Sequence, residues 1–420
     1  MAHERAWLLA LVSLGLVLRL LAVTLFAVEP TQDAASIEQL GRALAEGRGY
    51  ALADGIPDTV LPPGAPALIG ALYGIFGPSR LAVTVSQGLF DLGACMILWF
   101  WIRQRLSPRM ALFTLAFAVT SLSAIGSARI PRGECLGTAL LVVALVSFDL
   151  SRTRTPLRWL AGAGIACGFL TLFRWNFSLL PLVLAPFLAF RQIPPRIRIL
   201  SVAVFLTANA AIVAPWMLRN YLILGEPVLS TQTGITLYSS HFRAPGQPYG
   251  NNTHDAITER AALMPPLEGS HYLVKSTLRG LQDDPKRLVT QYPMKLFWLV
   301  QPFDWEILSW PVLGTRSFNA TYFIVALMAL LGLRDAVRQD RALTILLLLP
   351  IAYLAALSLP FYGSPRFRSP AEPFLMPLAA FGLAALIRKW RGTRAASLSP
   401  SGSVDSQSPE ASSTPKSLRA

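Results

Sequence analysis

Apolar blocks long enough to cross a lipid bilayer recur along the whole of this 420-residue chain. A helix needs about 20 mostly apolar residues to cross the hydrocarbon core. Ten such blocks stand out, at 7–28, 80–102, 110–126, 134–150, 159–173, 175–190, 199–218, 318–333, 342–359 and 374–387. Charged residues make up only 14% of the chain, against about 25% in soluble domains. The sequence therefore predicts an all-α polytopic membrane protein, with about ten transmembrane helices forming one domain over residues 1–390.

The short loops between these blocks differ strongly in positive charge. Sixteen Lys and Arg fall within the 37 residues of loops 103–109, 152–158, 191–198, 334–341 and 388–394. The short segments on the opposite side hold seven in 59 residues. Because positive loops stay in the cytoplasm, both termini are predicted to be cytoplasmic and loops 29–65 and 219–317 to lie outside. Arg greatly outnumbers Lys, which suits a GC-rich bacterium, so the expected location is a bacterial inner membrane.

The net charge of +14 raises the alternative of nucleic-acid binding. That function requires a basic patch interleaved with aromatic residues, whereas these charges recur in small clusters between apolar blocks. We therefore expect membrane lipids, and no nucleic acid, among the partners. Residues 391–420 are rich in Ser, Pro and Ala and are predicted to form a disordered cytoplasmic tail.

The first outer loop contains two short helical patterns. Residues 34–46 place Ile37, Leu40 and Leu44 on one face, and a second apolar run covers residues 67–76. Both are too short to span the membrane and are predicted to lie in its interface.

Two carboxylates lie next to predicted spans on the outer side. Asp33 could accept a proton from a hydroxyl group or hold a divalent metal ion, or it could be a helix N-cap or a solvated loop residue. Glu134 opens a span, where an unpaired carboxylate is costly. It either pairs with Arg129 or Arg132 or faces the Asp33 site as a second functional carboxylate.

Three arginines are candidates for binding an anion. Arg366 and Arg368 lie between the last two spans on the outer side, where positive charge is disfavoured, and guanidinium groups suit phosphate recognition. Contact with lipid headgroups is the alternative. Arg19 lies within the first span, where a charge is a functional candidate by default, or it pairs with Asp91 as a structural contact. Carboxylates and arginines gathered on one membrane face suit chemistry on a lipid-borne phosphate, and no nucleotide-binding motif is present.

Five stretches, in order along the chain, resemble the GT-C glycosyltransferases, especially family 39 with the protein O-mannosyltransferases and the lipid-A aminoarabinose transferases. The stretches are Asp33 with the run at 40–50, the LPPGAPAL run at 61–68, Glu134 at the start of a span, APWMLRNY at 214–221, and RFRSPAEP at 366–373. Two positions depart from the family pattern. Ala34 follows Asp33 where many relatives have a second acidic residue, and Ala65 replaces an aromatic residue.

The resemblance implies an inverting glycosyltransferase that uses a polyprenyl-phosphate sugar donor at the outer face. By analogy, Asp33 would be the general base or a metal and acceptor contact, and Glu134 the second acidic position. Both could then hold a divalent cation such as Mg²⁺ or Mn²⁺. Arg366 and Arg368, with Arg19, would bind the donor phosphate.

The resemblance also makes four residues of the matching stretches candidate substrate contacts, namely Tyr50, Arg219, Asn220 and Tyr221. The acceptor could be a lipid, a glycan or a protein. Two other functions compete with glycosyl transfer. A transporter or flippase of envelope glycan precursors would explain intramembrane Arg19 and Asp91, but no inverted repeat is visible. A non-catalytic scaffold would not explain why the candidate residues share one face.

Overall fold

The computed structural model describes residues 2–52, 55–152, 156–189, 194–242, 253–304 and 317–398. Nearly all of the regular structure is helical. In chain order the helices are α1 (Ala2–Leu25), α2 (Asp33–Ala45), α3 (Gly64–Phe76), α4 (Arg80–Arg105), α5 (Pro108–Val119), α6 (Leu122–Ala128), α7 (Glu134–Leu150), α8 (Pro156–Phe173), α9 (Leu180–Ala189), α10 (Pro195–Leu224), α11 (Thr233–His241), α12 (Ala256–Ala262), α13 (Pro266–Asp283), α14 (Lys286–Val300), α15 (Ala320–Gln339), α16 (Arg341–Leu357), α17 (Pro365–Arg368) and α18 (Leu375–Leu398).

Each of the ten predicted apolar blocks falls on a helix. Of the helices within the described residues, six are long and apolar enough to cross a membrane, and α5 with α6, bent by 49°, makes a seventh if counted as one span. Shorter apolar helices cover 64–76, 175–189 and 341–357. The predicted all-α, multi-pass membrane fold is therefore confirmed.

Small residues let several helices approach closely. A Cβ added to Gly164 of α8 would lie 2.3 Å from the carbonyl oxygen of Phe205 in α10. A Cβ on Gly332 of α15 would lie 2.4 Å from the backbone nitrogen of Gly382 in α18. Close backbone approach at small residues is the usual way in which membrane helices pack.

The loop between α1 and α4, which is predicted to lie on the outer side, forms a packed pair of short helices, as its two apolar patterns predict. Helix α2 buries Ile37 and Leu40, and α3 packs on it where Gly41 meets Ile69, since an added Cβ on Gly41 would lie 2.6 Å from that side chain. The polar face of α2 carries Arg42. The pair is the next structural unit after α1, and Asp33 is the first residue of α2.

The second long segment that is predicted to lie outside begins later than the sequence indicates. Helix α10 continues to Leu224, so residues 219–221 are helical and not part of a loop. Beyond it, α11, α12 and α13 share a small core of Tyr238, Ala261 and Leu273. A two-stranded antiparallel pair follows α14, with β1 (Phe303–Asp304) bonded to β2 (Ser317–Phe318). Residues 243–252 and 305–316 of the predicted loop lie outside the described residues.

The C-terminal boundary also differs from the predicted one. Helix α18 continues to Leu398, past the expected end of the transmembrane domain at residue 390. The remainder of the predicted tail, residues 399–420, lies outside the described residues.

Candidate active site

Three residues that are remote in sequence meet at one end of the bundle. Asp33 is the first residue of α2, Glu134 is the first residue of α7, and Arg366 lies in α17. The Arg366 guanidinium donates from Nη2 to Asp33 Oδ2 at 2.7 Å and from Nε to Glu134 Oε1 at 3.0 Å. One arginine therefore bridges both predicted carboxylates. We call the end of the bundle that holds this bridge the site end.

Two further arginines complete the cluster. Arg132 Nη1 lies 3.7 Å from Asp33 Oδ1, and Arg132 Nε lies 3.5 Å from Glu134 Oε1. Arg174 Nη1 lies 3.7 Å from Glu134 Oε1, and Arg174 Nη2 donates to the backbone carbonyl of Arg366 at 3.3 Å. The cluster thus holds three guanidinium groups and two carboxylates, and its net charge is positive.

The cluster has a buried floor and an accessible mouth. The side chains of Glu134, Arg132 and Arg174 are 5%, 8% and 8% exposed. Those of Asp33 and Arg366 are 29% and 25% exposed. A substrate approaching from the site end would therefore meet Asp33 and Arg366 first.

The floor retains polar atoms without a partner among the described residues. Glu134 Oε2 is buried and accepts no hydrogen bond from the described residues, and Arg174 Nε is buried and donates none to them. Burial, reinforced by the positive charges of Arg366 and Arg132, lowers the pKa of Arg174 to about 10. Arg174 remains charged at neutral pH. Because buried polar groups are nearly always satisfied in native proteins, a polar ligand or a water molecule is the expected partner of these two atoms.

Local backbone geometry explains how Glu134 reaches the cluster. Gly133 caps α7 in the left-handed region at φ 77°, which glycine adopts without cost. A Cβ there would lie 3.0 Å from Ala65 and 3.1 Å from the Phe173 ring. The Pro-Pro-Gly run of the sequence starts α3 next to the turn that precedes Glu134. The small side chain of Ala65 fits against Gly133 there.

Asp33 does not act as the N-cap of α2. Gln32 occupies that position, at φ 51°, and its side chain makes no capping hydrogen bond. Within the described residues Gln32 is the only non-glycine residue with a positive φ, a conformation that costs energy for such a residue. Backbone strain thus lies immediately before Asp33, whose carboxylate is directed to Arg366.

Arg368 does not share the site with Arg366. Its guanidinium is buried, pairs with Glu372 at 2.8 Å, and donates to the carbonyls of Leu299 and Gln301. It also lies 3.4 Å from the centre of the Tyr322 ring. The role in phosphate binding predicted for Arg368 is corrected to a structural one, since these contacts fasten α17 to the end of α14.

We expect Arg368→Ala to destabilise the protein by about 3–5 kcal/mol, because it strands the buried Glu372 carboxylate. Thermal unfolding in detergent measures this. The exposed Arg48→Ala variant serves as a control and should change stability by less than about 0.5 kcal/mol. Wild-type stability of Arg368→Ala would contradict the structural role.

Arg19 is also remote from the cluster. It forms a buried ion pair with Asp91 of α4 and donates to the carbonyls of Gly15 and Val119. The structural alternative considered for Arg19 is therefore the one that the structure shows. Its predicted role in phosphate binding is corrected, because every contact of its guanidinium lies within the helix bundle.

Three predicted substrate contacts instead hold a loop in place. The Arg219 guanidinium lies 4.6 Å from the Trp216 ring and 5.2 Å from the Tyr50 ring, and it donates to the backbone carbonyl of Asp58 at 2.6 Å. Tyr50 donates to the Leu61 carbonyl, and buried Asn220 to that of Val228.

The contacts of Arg219 fasten Tyr50 and Asp58 to the end of α10, and the bond of Asn220 holds the segment that follows α10, so all three side chains make structural contacts. Tyr221 is 50% exposed on α10. None of the four predicted substrate contacts bonds to a residue of the Asp33 cluster among the described residues, since Tyr50 and Arg219 contact each other and the segment that holds Asp58, and Asn220 bonds to Val228.

The donor set does not fit the divalent cation that sequence analysis assigned to Asp33 and Glu134. Arg366 already bridges both carboxylates, and two more guanidinium groups lie within 4 Å of them. A cation would have to displace these positive groups. Within the described ranges, no three His, Cys, Asp or Glu side chains lie close enough together to hold a metal ion.

An aromatic pocket adjoins the cluster. Trp175 follows Arg174, and Phe367 follows Arg366, so the chain leads directly from the arginines to the pocket lining. That lining also includes Asn176, Leu354, Leu357, Phe361 and Tyr362. The Trp175 and Phe361 rings pack edge to face at 5.7 Å.

Sequence reasoning did not recognise the roles of Arg132 and Arg174 in this cluster. From the sequence, Arg132 is only a possible partner of Glu134, and Arg174, which lies beside a span, is a functional candidate by default without an assigned role. Arg132 precedes the predicted span 134–150, and Arg174 follows the predicted span 159–173. Both positions are on the predicted outer side, where positive charge is unexpected. That position is the signal that could have identified them.

Comparisons with known proteins identify a sequence profile and solved structures that this chain resembles. Residues 60–218 match the sequence profile described as dolichyl-phosphate-mannose-protein mannosyltransferase. This segment includes Arg132, Glu134 and Arg174. No curated protein matches the chain in sequence.

Solved structures resemble the whole chain. One is archaeal oligosaccharyltransferase AglB from Archaeoglobus fulgidus, in complex with an inhibitory peptide and a dolichol-phosphate. Its TM-score is 0.53 at 13% identity, and the match covers 96% of this chain and 53% of the AglB chain. The A. fulgidus oligosaccharyltransferase in complex with Zn and sulfate gives 0.50 at 14% identity, with coverages of 92% and 50%. ArnT from Cupriavidus metallidurans bound to undecaprenyl phosphate gives 0.44 at 16% identity, with coverages of 93% and 80%.

The chain spans about half the length of the oligosaccharyltransferases that it matches. The resemblance recognised in the sequence is confirmed at the level of fold. The chain has the membrane fold of the GT-C glycosyltransferases and carries, over residues 60–218, the sequence pattern of the dolichyl-phosphate-mannose-protein mannosyltransferase family.

Proposed function

We propose that this protein is a membrane glycosyltransferase that moves a sugar from a polyprenyl-phosphate carrier to an acceptor hydroxyl group. The observation that carries the proposal is the Arg366 bridge between Asp33 and Glu134 at an accessible mouth. The GT-C fold and the family match support it. The AglB structure, which holds a dolichol-phosphate, supports a lipid phosphate as the ligand.

The arginines would bind the phosphate of the donor. Guanidinium groups form strong, charge-assisted hydrogen bonds with phosphate oxygens. When the bond between the sugar C1 and the phosphate oxygen breaks, negative charge develops on the departing lipid phosphate. Arg366 at the mouth, with Arg132 and Arg174 behind it, would stabilise that charge in the transition state.

Asp33 would act as the general base. Of the two carboxylates it is the accessible one, so an acceptor hydroxyl can reach it. The acceptor oxygen would form a new bond to C1 as its proton passes to Asp33. A single displacement of this kind from the face opposite the phosphate inverts the configuration at C1.

Glu134 would position the arginines without touching the acceptor. Its buried Oε1 lies within 4 Å of Arg132, Arg174 and Arg366. The second carboxylate of the site is therefore best understood as the fixed anion that gathers the three positive charges.

The aromatic pocket would receive the first isoprene units of the carrier. Its lining includes four aromatic residues, Trp175, Phe361, Tyr362 and Phe367, and two of these directly follow arginines of the cluster. A lipid phosphate bound by those arginines would place its hydrocarbon chain next to this apolar surface.

We propose that the site end faces the extracytoplasmic side of a bacterial inner membrane and that both termini are cytoplasmic. Glu46→Cys at the site end and Arg388→Cys near the other end replace exposed side chains, and the three native cysteines are buried. A membrane-impermeant maleimide should label Glu46→Cys in intact cells and Arg388→Cys only after permeabilisation. The reverse pattern would overturn this orientation.

A chelator should leave transfer unchanged, because three arginines occupy the neighbourhood in which a cation would have to bind. The measurement is transfer activity before and after treatment with excess EDTA. Loss of activity that is restored by Mg²⁺ or Mn²⁺ would contradict this prediction.

The direct test uses purified protein with a labelled polyprenyl-phosphate sugar and a set of candidate acceptor lipids, glycans and peptides. Transfer predicts a labelled acceptor and release of polyprenyl phosphate. Movement of an intact donor across vesicle membranes without cleavage of the sugar would instead support the flippase alternative.

A further inference from the structure

A glutamine inside the membrane bundle contacts the turn that builds the floor of the site. Gln87 lies in the second turn of α4 and its side chain is fully buried. Its Nε2 donates to the carbonyl of Ile130 at 2.6 Å, and its Oε1 accepts from the backbone N–H of Gly133 at 3.0 Å. The two halves of one amide therefore hold the two ends of a single four-residue turn.

This turn determines where two residues of the cluster lie. Arg132 is within it, and Glu134 follows immediately as the first residue of α7. Inside the turn, the Arg132 backbone N–H donates to the same Ile130 carbonyl at 2.8 Å. A shift of the turn would move the Arg132 guanidinium and the Glu134 carboxylate together, relative to Asp33 and Arg366.

Packing alone gives no reason for a glutamine at this position. A polar side chain in a membrane helix is costly to bury, and methionine would fill a similar volume without that cost. Both the nitrogen and the oxygen of the Gln87 amide instead bond to the backbone of the site turn. In membrane proteins such polar side chains usually mark functional positions.

We propose that Gln87 is a positioning residue for the reaction, which sets Arg132 and Glu134 at the depth needed for binding the donor phosphate. The inference rests on the proposed function. Gln87 does not touch the substrate, and it acts through the turn at 130–133.

The test replaces Gln87 by Met, which keeps the length of the side chain and removes both hydrogen bonds. With undecaprenyl phosphate as the probe, we expect binding to weaken by about 10- to 100-fold, because the turn is no longer held and Arg132 loses the position from which it would form a charged hydrogen bond with the phosphate. The KM for the acceptor should not change. Thr84→Val is the matched control, because Thr84 is buried on the same helix and bonds only to its own helix.

A double-mutant cycle separates positioning from mere stabilisation. If Gln87 acts through the turn, Gln87→Met in a Glu134→Gln background should weaken binding little further, since residues coupled through one backbone shift are not additive. If Gln87 only stabilises the bundle, the two effects should add. Should Gln87→Met fail to fold, Gln87→Asn keeps the amide but is too short to reach both backbone groups, and it should give the same non-additive loss.

The outcomes are distinct. Wild-type binding by the Gln87 variants, or full additivity with Glu134→Gln, would overturn this inference alone. Failure of the wild-type protein to bind undecaprenyl phosphate would overturn the proposed function and this inference with it.

Discussion

Replacing Asp33 by Asn should lower the rate of sugar transfer by about 10²–10⁴-fold, the usual contribution of a general base. Asparagine keeps the size of the side chain but cannot accept the acceptor proton. The protein should still insert and fold, because Asp33 is partly exposed and the buried floor around Glu134 is unchanged. Single-turnover transfer measured at saturating donor isolates the chemical step.

Glu46→Gln is the matched control for this prediction. Glu46 ends the same helix, and its side chain is 49% exposed and paired with Arg48, so its loss should leave transfer within about twofold of wild type, as expected for surface substitutions. Near-wild-type transfer by Asp33→Asn would exclude Asp33 as the base.

Replacing Arg366 by Ala should reduce kcat/KM for the donor by about 10²–10³-fold, the scale observed when one donor to a developing anion is removed. The change removes the group that meets the phosphate at the mouth and leaves Asp33 and Glu134 without the guanidinium that bridges them. The effect should appear in the dependence on donor concentration far more than in that on acceptor concentration. Steady-state kinetics with each substrate varied in turn measures this.

The Arg366→Lys variant separates the contribution of the positive charge from that of the guanidinium shape. Lysine keeps the charge but cannot bond both carboxylates as the planar guanidinium does, so we expect partial recovery. Arg48→Ala is the control for loss of an arginine at the same end. Unchanged donor dependence in Arg366→Ala would favour contact with lipid headgroups, the alternative considered from the sequence.

The membrane fold and the meeting of Asp33, Glu134 and Arg366 could be anticipated from the sequence. Apolar blocks determine the helices, and the number of crossings between two residues determines whether they lie at the same end of the bundle. Six predicted spans separate Glu134 from Arg366, counting from the span that Glu134 opens, and an even number returns the chain to the same end. The structure then places these two side chains 3.0 Å apart, while their chemical roles remain predictions.

Individual side chains at that end could not be assigned in the same way. Arg366 and Arg368 are two residues apart on a short helix, so they point to nearly opposite sides. Which one faces the site depends on the neighbouring α14, whose terminal carbonyls capture Arg368. Sequence distance gives no information about such contacts.

Errors in helix ends had a similar cause. The APWMLRNY stretch was interpreted as the start of a loop because polar residues begin at Arg219. Tertiary contacts of Arg219 and Asn220 with the loop at 50–61 and with Val228 satisfy these side chains, and α10 continues to Leu224. The sequence shows Gln87 as a polar residue within a predicted span, but it could not identify its partner, which is a turn 43 residues away.

The central claim is that the arginine cluster at the site end binds a lipid phosphate. Equilibrium binding of undecaprenyl phosphate to wild type, Arg366→Ala and Asp33→Asn tests it most directly. Wild type should bind, Arg366→Ala should bind about 10- to 100-fold more weakly as a charged hydrogen bond is lost, and Asp33→Asn should bind at least as tightly as wild type because it removes a negative charge beside the phosphate. Equal binding by wild type and Arg366→Ala, or weaker binding by Asp33→Asn than by Arg366→Ala, would contradict the claim.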